Sequence, residues 1–263
     1  MYNEKEWELF KEKLRAKSGI NLNDYKPAQM QRRIESLGTR SGAKGYLDFF
    51  DKVDNDSKLY KTFIDFLTIN VTEFFRTPEK FEEMEKKVIP ELLTKSPKLS
   101  IWSAGCSTGA EPYSMAIALR EITPNVKHRI LATDLDIEML AKAREGSYNV
   151  NELKNVSSAR LAKYFAKGQD ANIMSIVGDI KASVEFKKHN LLEDKFETGF
   201  DLILCRNVVI YFTEEAKDGL YRRFLESLKP GGILFVGGTE AVLNFRAMGY
   251  QQYIPFFYRK PLK

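Results

Sequence analysis

The chain has 263 residues, of which 43% are hydrophobic and 29% are charged, so it can bury a full core in one large domain or in two unequal ones. No run approaches the roughly 20 consecutive apolar residues that a membrane span needs, and the N-terminal residues mix charged with aromatic side chains, which excludes an apolar signal segment there. We therefore expect a cytoplasmic protein that does not insert directly into a membrane.

Cysteine and histidine are too sparse for a disulfide framework or a zinc site. Cys106 and Cys205 lie far apart, and His128 and His189 add no metal-ligand spacing. The net charge of +5 is too small to predict a nucleic-acid binder. Five basic residues stand against one acidic residue between Lys26 and Lys44. This basic cluster is either a footprint for an acidic partner or a solvated helix face.

The first 76 residues show helical periodicity, with apolar residues three or four positions apart in successive segments. The second of these segments begins at Pro27 and ends at Gly38. We predict a small helical domain over residues 1–76. A further helix should begin after Thr77, whose hydroxyl is a candidate cap, and run to about Leu93.

Beyond residue 98, short apolar strands alternate with helices. The predicted strands are Leu99 to Ala104, Arg129 to Thr133, Val184 to His189, Asp201 to Cys205 and Ile233 to Val236; the helices are Glu111 to Glu121, Asp136 to Glu145 and Glu214 to Leu228. This rhythm predicts an α/β fold, in which a parallel sheet has helices on both faces. The segment of about 146–182 is too long for a simple connection, so we predict an inserted subdomain there.

The turn after the first predicted strand is a candidate ligand site, because doubly wound sheets bind ligands beyond the C-terminal ends of their strands. Its glycines, Gly105 and Gly109, are spaced GxxxG and not GxGxxG, which disfavours a dinucleotide. A cofactor without phosphates fits better, and S-adenosylmethionine is one. Asp134, at the end of the next strand, is placed to bind its ribose. The predicted turn at 229–232 occurs widely in class I methyltransferases, although it is also an ordinary helix-to-strand turn.

Three longer motifs, Asn70 to Arg76, Cys106 to Ser114 and Cys205 to Phe212, closely resemble the chemotaxis receptor methyltransferases, the CheR family. His189 to Leu192 resembles a fourth motif of that family. The resemblance extends in order over essentially the whole chain, including the helical region and the insertion. One departure is Ala110, where the family usually has a first glutamate, and it puts only a neighbouring charge in doubt.

The resemblance implies a class I, Rossmann-like methyltransferase sheet over residues 77–263, with an all-helical receptor-recognition domain before it and a small β subdomain inserted at about 146–182. It implies methyl transfer from S-adenosylmethionine to the γ-carboxylate of receptor glutamates, which gives methyl esters and S-adenosylhomocysteine without a metal. The implied partners are the cytoplasmic helices of methyl-accepting chemotaxis receptors, and recruitment to receptor arrays at the inner face of the membrane is expected.

Two other functions are open at this point. Amine and nucleobase methyltransferases usually carry an acid or asparagine followed by Pro-Pro-aromatic after the fourth strand, whereas this chain has Arg206 to Val209 and no proline there. We therefore expect no nucleic-acid partner. An adaptor that binds the cofactor without turnover is the non-enzymatic alternative, and the presence of Arg76 and Tyr211 argues against it.

Carried over residue by residue, the resemblance assigns the cofactor contacts. Glu111 would hold the amino group, Asp134 the ribose, and Asn190 and Leu191 the adenine edge. The methionine end, the glycine turn and the pocket floor are assigned to Asn70, Thr72, Arg76, Gly105, Cys205 and Arg206.

The resemblance also implies that Arg76 and Tyr211 face the substrate carboxylate. Simpler interpretations remain for some of the assigned residues: Thr72 is also a candidate helix cap, Cys205 a small buried residue and Tyr211 a core residue. Arg32 and Arg33 should project outward from the second helix and are the predicted receptor contacts.

Overall fold

In the computed structural model, residues 3–68, 72–168 and 170–263 are described, and they form two compact units. The first unit contains the described residues of Met1–Ile69 together with Val209–Leu220. Its helices are α1 (Glu4–Ser18), α2 (Pro27–Arg40), α3 (Tyr46–Asn55) and α4 (Ser57–Thr68). This arrangement confirms the predicted N-terminal helical domain.

Aromatic side chains form the core of the first unit. Phe10, Phe49 and Phe63 have no exposed surface. The ring centroid of Phe10 lies 6.3 Å from that of Phe49 and 6.2 Å from that of Phe63. The apolar spacing seen in the sequence is therefore the packing stripe of three helices. Asn3 begins α1 by accepting the Glu6 N–H at 3.0 Å.

The segment that carries Tyr211 packs with the first unit. Tyr25 and Phe212 form an antiparallel bridge, and the Lys26 N–H donates to the Tyr211 carbonyl at 2.9 Å. The sequence prediction placed the domain boundary at residue 76 and left 209–220 with the second domain. A local pattern cannot reveal this assignment, because the pairing joins residues almost 190 positions apart.

The second unit contains Asn70–Val208 and Tyr221–Lys263, apart from the residues that are not described. In chain order, the elements after α4 are α5 (Pro78–Glu83), α6 (Ile89–Lys95), β1 (Ser100–Ala104), α7 (Ala110–Ile122), β2 (Arg129–Asp134), α8 (Ile137–Glu145), β3 (Ser147–Asn149), α9 (Ser158–Tyr164), β4 (Phe165–Lys167), β5 (Ile173–Ile176), α10 (Gly178–Lys181), β6 (Val184–Lys188), β7 (Phe200–Cys205), α11 (Glu214–Ser227), β8 (Leu228–Val236), α12 (Phe245–Met248), β9 (Gln251–Ile254) and β10 (Phe257–Arg259). The part of α11 up to Leu220 belongs to the first unit. A π-helical turn, Met84–Val88, joins α5 to α6.

The main sheet has seven strands in the order β6-β2-β1-β7-β8-β10-β9. The five strands that the sequence predicted pair in parallel, which confirms the α/β fold. The two strands at one edge, β9 and β10, were not predicted from the sequence, and β10 runs antiparallel to both β8 and β9. Phe257 drives this pairing: its ring stacks on Phe235 with centroids 4.1 Å apart, and it is fully buried.

The inserted segment forms a three-stranded antiparallel sheet in the order β3-β5-β4, as the resemblance implied. Phe74 anchors it, since its ring centroid lies 4.8 Å from that of Tyr148 and 5.2 Å from that of Phe165. All three rings are buried. The insertion therefore packs on the segment that precedes the methyltransferase sheet.

The predicted turn at 229–232 is part of a strand. β8 begins at Leu228, directly after α11, and its pairing with β7 shifts register between Phe200 and Leu202. Gly231 has a φ of 78°, which lets the strand carry this irregularity. Among the described residues, no helix is long and apolar enough to cross a membrane.

Candidate functional site

A tight turn follows β1 at the C-terminal edge of the sheet. Gly105 has a φ of 83°, and its N–H and that of Cys106 donate to the Thr133 carbonyl at 2.8 and 2.9 Å. A Cβ on Gly105 would collide with Val208. Only glycine satisfies both requirements, so the turn lies close against Val208, which follows β7.

Asp134 ends β2 beside this turn. Its Oδ2 accepts the Ser107 N–H at 2.7 Å and its Oδ1 accepts the Asp136 N–H at 2.9 Å. Burial raises the pKa of the Asp134 carboxyl, although these backbone donors oppose the rise. A carboxylate has about four acceptor positions, and three backbone donors, those of Ser107, Leu135 and Asp136, act on this one, so about one position remains for a ligand hydroxyl.

Glu111 lies in the first turn of α7 and pairs with Arg206 from the end of β7. Glu111 Oε1 accepts from the Ser103 hydroxyl at 2.8 Å, and its Oε2 lies 3.3 Å from Arg206 Nη1. The two side chains are only 12% and 3% exposed, respectively. Burial lowers the pKa of the Arg206 guanidinium, and the Glu111 charge opposes that effect. This buried pair keeps a carboxylate at the positive end of a helix, where it can also bind an ammonium group.

Arg206 also holds the segment that carries Arg76. Its Nη2 donates to the Arg76 carbonyl at 2.7 Å and to the Thr77 hydroxyl at 3.3 Å. The Thr77 side chain therefore does not cap α5, contrary to the sequence prediction, and the residue is left-handed with a φ of 61°. The Arg76 side chain is half-buried, and its charge further lowers the pKa of Arg206. Two guanidinium groups thus make this corner cationic.

The turn after β6 approaches Asp134 from the other side. The His189 N–H donates to the Asp134 carbonyl at 2.9 Å, and Asn190 Oδ1 accepts the Leu192 N–H at 3.0 Å. Leu191 is 8% exposed. Cys205 is fully buried next to Arg206, and burial raises the pKa of its thiol well above the usual value, so it is a neutral wall residue.

Three predicted site residues have no described contact with this cluster. Asn70 lies outside the described residues, and Thr72 is half-buried at the start of the described segment that leads to Arg76. Tyr211 belongs to the first unit.

The expected outward projection of the two receptor arginines holds for Arg32, which is exposed, but is wrong for Arg33. The Arg33 guanidinium carbon lies 4.4 Å from the ring centroid of Phe66 and 5.8 Å from that of Tyr211. Burial accordingly lowers the pKa of Arg33. A long side chain at the margin of the α2 stripe has folded over aromatic rings instead of extending into water.

Sequence reasoning missed two polar residues of this region. Ser103 orients Glu111, and Glu240, after β8, is 4% exposed and accepts backbone N–H groups of Asn207 and Gly237. An acid in an otherwise small and apolar stretch, directly after a buried strand, was the available signal for Glu240.

Comparison with known proteins adds independent findings. The family model "CheR methyltransferase, SAM binding domain" matches residues 70–254, and "CheR methyltransferase, all-alpha domain" matches residues 5–68. A chemotaxis protein methyltransferase of Listeria innocua is 39% identical over 259 residues, which cover 98% of each chain. Proteins of the same name from Borreliella burgdorferi and Salmonella typhimurium are 36% and 35% identical, covering 92% and 87% of this chain and 89% and 81% of theirs.

Proposed function

Because the chain belongs to the CheR family of S-adenosylmethionine-dependent methyltransferases, we propose that it methylates the γ-carboxylates of specific glutamates on chemotaxis receptors. One structural observation carries the cofactor part of this proposal. Glu111 and Asp134 present two partly shielded carboxylates at adjacent strand ends, and each keeps acceptor capacity after its internal hydrogen bonds are counted. That set of acceptors suits a ligand whose donors are an ammonium group and hydroxyls.

The proposed cofactor contacts follow the order of the strands. Glu111 accepts from the amino group, Asp134 from the ribose hydroxyls, and Asn190 and Leu191 border the adenine. Gly105 lets the turn lie against Val208 beside the proposed position of the amino-acid end, while Cys205 and Arg206 form the floor. Asn70, Thr72 and Arg76 are proposed at the methionine end.

The proposed chemistry needs orientation more than acid–base catalysis. A glutamate side chain with a pKa of about 4.3 is ionised at neutral pH, so no general base is required. Bound S-adenosylmethionine supplies an electrophilic methyl carbon, and its other product is S-adenosylhomocysteine. We propose that Arg76 and Tyr211 align the substrate carboxylate and exclude water around it. A strong ion pair with Arg76 would stabilise the ground state equally, so orientation is its proposed contribution.

The proposed partners are the cytoplasmic helices of methyl-accepting receptors, met at arrays on the inner face of the membrane. The exposed Arg32 supports an acidic partner, because it lies on α2 away from the buried Met30, Ile34 and Leu37. Attraction between such a surface and an acidic helix raises association rates and is screened beyond about 8 Å at physiological salt.

The decisive experiment is incubation of the purified chain with methyl-labelled cofactor and membranes that carry chemotaxis receptors. Base treatment should release volatile methanol, because methyl esters hydrolyse whereas methylated amines do not. Membranes without receptors, and receptors with glutamine-to-alanine and glutamate-to-alanine changes at their methylation sites, are the controls. Label that stays on the protein after base treatment would show a different acceptor group and would contradict the proposal.

A further inference from the structure

Glu240 is a buried acid that neither the sequence motifs nor the proposed mechanism uses. It follows β8 and is 4% exposed. Its Oε2 accepts the N–H of Asn207, from the turn after β7, and the N–H of Gly237 at 3.0 Å. The side chain thus joins the turns that follow two neighbouring strands of the sheet. Burying a carboxylate is unfavourable unless such donors surround it, so the position is built to hold one.

Two local features fit this carboxylate closely. A methyl group on Gly237 would collide with Oε2, so the glycine leaves room for the acid. Asn207 is left-handed, with a φ of 61°, a conformation that asparagine adopts more readily than most non-glycine residues and that surrounding contacts hold in place. The hydrogen bond from Asn207 to Glu240 is such a contact. The Glu240 backbone is itself fixed, because its carbonyl accepts from the Tyr221 hydroxyl at 3.3 Å.

The residues on either side of Asn207 form two walls of the proposed cofactor site. Arg206 precedes it and pairs with Glu111 at 3.3 Å. Val208 follows it and lies against Gly105 closely enough to exclude any Cβ there. A change in the backbone at Asn207 would therefore move both walls together.

We infer that Glu240 is a positioning residue of the cofactor site: it fixes the left-handed turn at Asn207, so that Arg206 reaches Glu111 and Val208 closes on Gly105. Glu240 acts through these residues and is not assigned any contact with the cofactor. This inference rests on the proposed cofactor site.

The test compares Glu240→Ala with two variants that separate geometry from charge. Glu240→Gln keeps an oxygen that can accept both backbone N–H groups. Gly237→Ala keeps the carboxylate but displaces it. Asp201→Ala is the matched control. Asp201 is also a buried acid, 6% exposed, that accepts a backbone N–H, that of Ser100 at 2.7 Å. It lies near the N-terminal end of β7, whereas the proposed site lies beyond the C-terminal ends of the strands. Each purified full-length variant is examined by urea unfolding and by calorimetric titration with S-adenosylhomocysteine.

We expect Glu240→Ala and Gly237→Ala to raise the dissociation constant at least about tenfold, which equals about 1.4 kcal/mol at 25 °C. Glu240→Gln should recover most of the affinity. Asp201→Ala should lose stability yet stay within about twofold of the wild-type affinity, a difference that a purely structural role of Glu240 would not produce.

The inference is overturned if Glu240→Ala binds within about twofold of the wild type, or if Asp201→Ala weakens binding equally. Should Glu240→Ala fail to fold, Gly237→Ala and Glu240→Gln decide by the same criterion. Near-wild-type affinity in Gly237→Ala, in which the carboxylate is displaced, contradicts the inference. A wild-type chain that does not bind S-adenosylhomocysteine would instead contradict the proposed cofactor site itself.

Discussion

Replacing Asp134 with asparagine should weaken cofactor binding and folding stability by separable amounts. Loss of a charge-assisted hydrogen bond to the ribose costs about 1.5 to 3 kcal/mol, or roughly 10- to 150-fold in dissociation constant. The stability loss has another origin. Both Asp134 oxygens accept backbone N–H groups, from Ser107 and Asp136, so an amide NH₂ must face one donor. An unpaired buried N–H costs about 1 to 3 kcal/mol.

The assay is calorimetric titration of S-adenosylhomocysteine, run beside urea unfolding of the same samples. Asp136→Asn is the matched control, because it removes a negative charge two residues away while asparagine still caps α8 as Asp136 does. It should bind within about twofold of the wild type. Acidification should weaken wild-type binding as the raised pKa of Asp134 is approached from above, since protonation removes the charge and turns one acceptor oxygen into a donor. An unchanged dissociation constant for Asp134→Asn, or an equal loss in the control, would refute the ribose assignment.

Three further outcomes are expected. Arg76→Ala and Tyr211→Phe should each strongly lower kcat, measured by receptor methylation, while changing the free energy of unfolding, measured in urea, only slightly. Full activity in both variants would contradict the proposed substrate contacts. Arg32→Glu should slow receptor methylation and reduce its salt dependence without changing cofactor affinity, whereas Arg33→Glu should also lower stability, because Arg33 packs on aromatic rings. Burial lowers the pKa of His128, whose Nδ1 accepts the Leu99 N–H at 3.0 Å. The folded protein therefore binds a proton there less readily than the unfolded chain, and its stability should fall as the pH drops below about 6.5. His128→Asn should flatten this dependence in urea unfolding at several pH values.

Strand and helix order followed from the sequence because most strands of the parallel sheet, β1, β2, β7 and β8, are buried along most of their length. The β9–β10 hairpin did not, although four of its seven strand residues are aromatic or aliphatic. Its two-residue turn is Pro255 and Phe256, and Phe256 has a φ of 73°. That position of a turn normally holds glycine or asparagine, so the usual hairpin signal was absent. The tertiary stacking of Phe257 on Phe235 overrode the local preference.

The sequence allowed site residues to be proposed by type and position, but it did not show their partners. Acids at strand ends are visible in the sequence, whereas the pairing of Glu111 with Arg206 joins residues 95 positions apart. The same limit explains Arg33. Helical periodicity identifies the buried face of α2, but it cannot show that Phe66 of another helix offers a ring on which a marginal arginine lies.

Backbone strain around the proposed cofactor site explains why its acids affect folding as well as binding. Of the five left-handed residues other than glycine in the described part of the chain, one is in the C-terminal hairpin and four surround this site: Phe75, Thr77, Ser107 and Asn207. Such conformations cost about 1 to 3 kcal/mol each and persist only where contacts impose them.

Three of these four strained residues donate their N–H to a side-chain acceptor. Ser107 donates to the Asp134 carboxylate at 2.7 Å, Phe75 to the Ser114 hydroxyl and Asn207 to the Glu240 carboxylate. Asp134 therefore has two tasks, since the carboxylate proposed to bind ribose also keeps the turn beside it in place. Because one substitution removes both, a loss of activity in such a variant does not identify a ligand contact by itself. The cofactor affinity of such a variant has to be compared with that of a second variant of equal stability, whose lost hydrogen bond lies at the N-terminal ends of the strands.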